Sequence, residues 1–215
     1  IKPKAIFTHI EYSCTSSVVT EFCNCFGVKH NMFMHGEKLF TMRDSFCCFN
    51  EIYYYDQHYL KIFKELKWQY DRYHFFLPDS FRIKYKTDQS LDYTYYLAAE
   101  SRSQMKIINT FLLKLVNKGK KVSVRAHPRW TDFNIVAEIF SNEIFIEKQN
   151  ISIHESLAQT KNVISLFSTV LFIAYQNKIN IVIDDCSHSG LYEKLIDLDY
   201  IFASKSINKL SEHVF

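Results

Sequence analysis

Five polar sets stand where apolar runs end: His35-Gly36-Glu37, Glu100-Ser101, His127-Pro128-Arg129, Ser165 with Ser168-Thr169, and Asp184-Asp185. In open parallel sheets, ligands bind at the carboxyl ends of the strands, so these sets are the places to look for chemistry. Pro128 lacks an N–H and fixes φ, which stops a strand and holds His127 extended. An imidazole there can give a hydrogen bond or a proton to a phosphate oxygen. The competing reading makes His127 the partner of a loop carbonyl. Ser168 and Thr169 open an apolar helical run, so two hydroxyls and the first free helix amides meet at one point. That is an anion site, or, for Ser168 alone, a plain helix cap. Ser165 is harder to explain as a cap, because it interrupts an apolar strand. Ser101 opens another helix and joins the candidates for holding a ligand. Glu100 and Glu37 are the strand-end carboxylates that could serve as a base. Each can equally be a solvated loop residue, and Glu100 a first-turn helix acid.

Other chemistries find less support. GxGxxG and GxxxxGK[ST] are both absent, and four glycines leave little for a phosphate-cradling loop. No HExxH occurs, and His9, His30 and His35 with Cys14, Cys23 and Cys25 follow no standard ligand spacing, so no metal and no cofactor is expected. Asp184-Asp185 could meet a divalent cation, although acids at strand ends are more often solvated or capping. Cys186 and His188 share a loop, a weak basis for a nucleophile and its base. The six cysteines lack a CxxC pair and are expected as free thiols of a reducing compartment.

The elements that must position these residues alternate strand and helix. Strands are expected over 5–9, 28–34, 51–55, 93–98, 122–126, 144–146, 163–167, 179–183 and 200–203. Helices are expected over 16–26, 57–68, 101–117, 133–140, 152–158, 168–176, 191–198 and 206–214. In the first helix Val18, Val19, Phe22 and Phe26 form the apolar face. The stretch 71–91 breaks the pattern, and Lys86-Thr87-Asp88-Gln89-Ser90 reads as a linker. Runs such as Ile179-Asn180-Ile181-Val182-Ile183 suit strands buried on both faces. The expected fold is therefore α/β, with Rossmann-like parallel sheets covered by helices: a partial first lobe over 1–85 and a Rossmann-like domain over 86–215. With 26 Lys+Arg against 23 Asp+Glu the net charge is +3, too weak to argue for a nucleic-acid partner. A hydrophobic share of 47% excludes disorder. No apolar run reaches the roughly 20 residues that span a bilayer, and no signal peptide is read. The chain opens at Ile1 without Met and reads as a piece of a longer protein.

The order of four segments carries a resemblance: Val124-Arg125-Ala126-His127-Pro128, Glu155-Ser156-Leu157-Ala158, Val163 through Ser165, Ser168 and Thr169 to Leu171, and Ile181-Val182-Ile183-Asp184-Asp185. It resembles the donor-binding half of bacterial two-lobed (GT-B) glycosyltransferases, and among them the capsule and lipooligosaccharide sialyltransferases and polysialyltransferases. The resemblance covers about 92–190, and 1–70 only loosely, where Asn31 through His35-Gly36-Glu37 is similar to an "HG" element of the acceptor lobe. It implies that the His-Pro pair (His127, Pro128) and the Ser-Ser/Thr segment (Ser165, Ser168, Thr169) hold the CMP portion of a nucleotide-sugar donor. It further implies an inverting transfer to a glycan acceptor in surface polysaccharide synthesis, without metal, in the cytoplasm at the periphery of the inner membrane. The chain departs from the family in lacking an acidic-Gly motif, since Glu37 follows its glycine. The base is then Glu100, Glu37 or a residue upstream of Ile1. A Kdo or polyol-phosphate transferase stays open, as does a non-catalytic α/β nucleotide-binding or interaction domain.

Overall fold

The computed structural model describes residues 2–9, 13–83, 89–205 and 207–215. The chain divides into two compact units, Ile1–Pro78 with Leu195–Ser204, and Asp79–Lys194 with Lys205–Phe215. The fold is α/β, with all-parallel sheets and helical crossovers, as the alternation requires. The division falls at Pro78–Asp79, and the return of 195–204 to the first unit has no counterpart in the sequence pattern. Of the expected linker, Lys86-Thr87-Asp88 lies outside the described residues.

The first unit is a four-stranded sheet in simple order, β1 (Ala5–Thr8), β2 (Lys29–Phe33), β3 (Cys48–Tyr54) and β4 (Gln69–Phe75), with every pair parallel. Helix α1 (Thr15–Cys25) joins β1 to β2, and α2 (Gln57–Glu65) joins β3 to β4. Right-handed crossovers in one direction put both helices on one face. Gly27 takes φ +66° just after α1, the left-handed conformation expected of a glycine at that point. The apolar face expected for α1 is not the one it buries. Val18 is 71% and Phe22 64% exposed, while Ser16, Thr20 and Cys23 are buried. Hydrogen bonding decides this: Ser16 Oγ accepts from Cys48 N, and Thr20 Oγ1 donates to Cys48 O at 2.5 Å. Thr20 has then used its one proton, so His30 donates to it from Nδ1 (2.8 Å) and accepts from Thr8 at Nε2 (3.1 Å). The opposite face carries a cross-strand stack, Phe7 on Phe33, Phe33 on Tyr53 and Tyr53 on His74.

The second unit is a six-stranded parallel sheet. In chain order its strands are β5 (Leu91–Tyr96), β6 (Val122–Arg125), β7 (Phe145–Ile146), β8 (Thr160–Ser165), β9 (Asn180–Ile183) and β10 (Asn208–Lys209). In space they run β10-β9-β8-β5-β6-β7. That is the doubly wound order, reversing direction between β5 and β8. The crossovers are α3 (Arg102–Asn117), α4 (Phe133–Ile139), α5 (Ile153–Gln159), α6 (Thr169–Gln176) and α7 (Ser189–Asp197). They are followed by α8 (Ile201–Ser204), which belongs to the first unit, and α9 (Leu210–Val214). Helix α3 shows why the local sequence suffices. Ser101 and Gln104 close a capping box, Met105, Ile108, Leu112 and Leu115 form the buried stripe, and Gly119 takes φ +74° beyond its end. Those four residues pack with Tyr95, Val124, Ile164 and Val182 in one core. The polar residues in these strands are paired across the sheet. Ser123 donates to Thr94 at 2.7 Å, Thr94 and Thr160 share a 2.7 Å bond, and Thr160 reaches Ser156 O.

Three expectations need correction. The stretch 71–91 contains most of β4, whose burial shows no alternation because it is an edge strand. Residues 200–203, expected as a strand, enter helix α8, with Tyr200 fully buried ahead of it. The terminal helix is shorter than expected, because β10 occupies Asn208–Lys209; Ser206 lies outside the described residues.

Candidate functional site

Where a doubly wound sheet reverses direction, the crossovers on either side depart to opposite faces and leave a crevice between the strand ends. The second unit has a cavity of about 210 Å³ at that point. Ala98, Ala99 and Glu100 come from the end of β5, Leu166 and Phe167 from the end of β8, and Ser187, His188 and Leu191 from beyond β9. Its surface is mostly apolar, with Glu100, Gln104, Ser187 and His188 as the polar groups.

Glu100 is half-buried, and its Oε2 accepts from Ala98 N at 2.6 Å. Burial raises its carboxyl pKa, against the lowering effect of its own amide and that of Ala98, and the charge of Asp184 adds a smaller rise. His188 accepts from Leu191 N at Nδ1 (3.2 Å), so the neutral ring carries its proton on Nε2. Ser101, next to Glu100, caps α3, and its hydroxyl also contacts Ser103.

A second cavity, of about 220 Å³, lies at the carboxyl ends of β6 and β7 and is lined by Arg125, His127, Pro128, Glu147, Lys148 and Gln149. His127 Nδ1 accepts from the amides of Arg129 (3.1 Å) and Trp130 (3.2 Å), closing a turn after the strand. Part of the plain reading therefore holds: the imidazole does serve its own loop. The same bonds fix the tautomer and leave Nε2–H as the donor. Burial, with Arg129 beside it, lowers the pKa of His127, so the ring is neutral at pH 7. Thr131 ends the turn and donates to Ala98 O at 2.9 Å, tying the His127 loop to the wall of the switch-point cavity. Arg125 anchors the other side. It donates to the buried Glu147 at 2.8 Å and to Ile151 O at 2.7 Å, while Ser156 donates to the second Glu147 oxygen.

The Ser-Ser/Thr segment separates into different roles. Ser168 is the cap of α6, accepting from Val170 N at 3.3 Å, and Thr169 is the first helical residue. Ser165 is fully buried, with its hydroxyl donating to Tyr96 O at 3.0 Å. The expectation that it points at a ligand is corrected: it bonds β8 to β5 inside the sheet. Glu37 belongs to the first unit, where Tyr59 donates to it. Loss of water there pushes the Glu37 carboxyl up to about 7, against the lowering effect of that bond. Lys38 beside it falls to about 8, again through burial.

Asp184, weighed above as a cation ligand against a solvated or capping acid, takes the capping role. It is fully buried and accepts from Tyr95 Oη at 2.6 Å, from the amides of Cys186 and Ser187 at 2.9 Å each, and from the Ser187 hydroxyl. A short-range signal was present in the sequence, since Asp followed by Ser three residues later is a side-chain-capped turn. Its partner Tyr95 carries no such signal. Asp185 instead binds Ser211. Among the described residues no group of three or more His, Cys, Asp or Glu is placed to hold a metal ion, and the six cysteines are free thiols.

No protein-family model and no curated protein matches the sequence. Among solved structures the chain is similar to TarM, at 11% identity and a TM-score of 0.48 over 87% of this chain and 42% of that one. A point mutant of S. aureus TarM, solved in complex with fondaparinux, alpha-GlcNAc-glycerol and UDP, gives 11% identity and a TM-score of 0.45 over 86% of this chain and 47% of that one. The chain spans less than half the length of either structure. Among the described residues no helix is long and apolar enough to cross a membrane.

Proposed function

We propose that the second unit binds a nucleotide-activated sugar and that the chain is part of an inverting glycosyltransferase of surface-polysaccharide synthesis. The observation that carries this reading is the cavity at the reversal point of a doubly wound sheet, coupled through Thr131 to the His127 turn. The order of motifs, which resembles the sialyltransferase group, makes a CMP-linked sialic acid the first donor to test.

In such a reaction the acceptor hydroxyl attacks the anomeric carbon and the nucleotide phosphate leaves. Charge develops on that phosphate. His127 Nε2–H and the free amides at the start of α6, around Ser168 and Thr169, are fixed donors suited to it. Pro128 and the Arg125–Glu147 pair hold the His127 turn in place. Ser165 and Ser101 support the strand and helix ends. Glu100, on the wall of the same cavity and with its carboxyl pKa raised by burial, is the candidate base within this unit. Donors of this kind can serve the leaving group without a metal. Calorimetric titration with CMP, UDP and AMP, with and without EDTA, tests the reading. Binding of CMP unaffected by EDTA is expected, and absence of binding by all three nucleotides overturns it.

A further inference from the structure

The two tryptophans of the chain are treated in opposite ways. Trp68, in the first unit, is 7% exposed; its indole lies on the Phe63 ring with centroids 4.0 Å apart, and its Nε1 donates to Asp44 O at 2.6 Å. Trp130, in the second unit, is 69% exposed. Tryptophan is highly buried on average, because its ring carries a large apolar area. The exposure of Trp130 does not come from a loose loop. Its amide donates to His127 Nδ1 at 3.2 Å. The amide of the next residue, Thr131, donates to His127 O at 3.2 Å, and the Thr131 hydroxyl to Ala98 O at 2.9 Å. Asp132 then caps α4 by accepting from Asn134 N at 2.9 Å. These bonds fix the backbone on both sides of Trp130 and leave the indole in water. Its ring centroid lies 6.3 Å from that of His127, with 31° between the planes. His127 in turn lines the cavity of about 220 Å³ at the ends of β6 and β7. A ring that the fold positions but does not bury has met the cost of ordering in advance and keeps its apolar face for a ligand.

We propose that the Trp130 indole is the platform on which the nucleobase of the donor stacks, while the phosphate of the same nucleotide sits on His127. The proposal rests on the nucleotide-sugar reading above and adds to it the place of the base. In a nucleotide one ribose separates base from phosphate. A phosphate held by His127 Nε2–H therefore brings a planar ring within reach of the next aromatic on the same turn. Every base has a π face, so stacking of this kind supplies affinity without choosing between bases. Trp130 then strengthens the binding of any nucleotide that the site admits and does nothing for a sugar phosphate that lacks a base.

The test has two readouts, affinity and tryptophan emission. CMP, UDP and AMP are titrated by calorimetry into the wild type, Trp130→Phe and Trp130→Ala, and whichever nucleotide binds is compared with ribose 5-phosphate, which keeps the phosphate and sugar but has no base. Trp130→Ala is expected to bind the nucleotide roughly fivefold to hundredfold more weakly and ribose 5-phosphate as the wild type does. Trp130→Phe keeps a ring to stack on and should recover most of the loss. The exposed indole makes few contacts within the fold, so both variants should fold, and thermal melting checks this. Emission gives the second readout, because Trp68 is enclosed and serves as an internal reference. The nucleotide should quench the wild-type emission to saturation and leave that of Trp130→Phe unchanged. A nucleotide that binds wild type and Trp130→Ala equally, with no quenching, overturns the stacking and leaves the nucleotide reading in place. Equal losses for the nucleotide and ribose 5-phosphate in Trp130→Ala also overturn it, since the indole would then act only by holding the His127 turn. Absence of binding by all three nucleotides overturns the nucleotide reading and the stacking with it.

Discussion

His127 does two jobs with two nitrogens, and a single substitution can separate them. Nδ1 accepts from the amides of Arg129 and Trp130, while Nε2–H is the donor offered to a ligand. Asparagine can place its Oδ1 where Nδ1 stands but has nothing at Nε2. His127→Asn should therefore leave thermal stability nearly unchanged and weaken CMP binding by about 1–3 kcal/mol, the usual loss for a bond to a charged group. Unchanged affinity in calorimetry would leave His127 as a turn residue only. Glu37 gives a residue-scale prediction in pH. Its carboxyl rises from an ordinary 4.5 to about 7 on folding. Between those values the folded state holds a proton that the unfolded state has lost, so stability falls as pH rises across this window, by about 3 kcal/mol at most. Below it both states are protonated and the loss is absent. Glu37→Gln keeps an acceptor for Tyr59 and should remove that slope, measured by urea unfolding at a series of pH values. An unchanged slope would show that the carboxyl is not enclosed as described.

The strand β8 and the helix α6 that follows it show how one motif can be legible and misleading together. Ser168 was readable as a cap, because a serine before an apolar run has little else to do at a helix start. Ser168→Ala should cost about 0.5–2 kcal/mol of stability. Ser165 looked like a ligand group for a sound reason, since a hydroxyl in an apolar strand needs a partner. The partner is a backbone carbonyl, Tyr96 O, on the neighbouring strand. Ser165→Ala should then cost about 1 kcal/mol of stability and leave CMP affinity unchanged. Chemical denaturation with parallel titrations checks both, and loss of affinity without loss of stability in Ser165→Ala would restore it to the ligand. The same logic separates the other elements. Helix α3 and the near-continuous apolar strands were legible because cap, stripe and terminal glycine agree locally. Helix α1 was not, because Ser16 and Thr20 face the sheet through bonds to Cys48, a residue far along the chain. The edge strand β4 has no buried face to imprint on its sequence. The cage around Asp184 takes Tyr95 from a strand 89 residues earlier, a pairing that no local pattern encodes.

At the scale of the whole chain, the two units make different claims on a ligand. Both sheets are parallel, but among the described residues only the six-stranded one reverses its winding and so has a crevice between oppositely directed crossovers. The four-stranded sheet winds in one direction, and its second face carries the Phe7–Phe33–Tyr53–His74 stack. A nucleotide that binds the native state alone stabilises what it touches by RT ln(1 + [L]/Kd), about 2.7 kcal/mol at a hundredfold excess over Kd. If the switch-point cavity is the site, that stabilisation should appear first in amides that open only with β5, β8 and β9, and in the loops carrying Glu100, His127 and Ser187. Hydrogen exchange with and without CMP can resolve this by residue. Protection concentrated in the second unit, persisting in EDTA, is the expected outcome. Protection confined to β1–β4 would place the nucleotide on the first unit and remove the reversal point from the account. Protection that vanishes with EDTA and returns with Mg²⁺ would mean that the imidazole and helix amides do not suffice for the phosphate, and that Asp184-Asp185 or another acidic pair must be reconsidered as the metal's anchor.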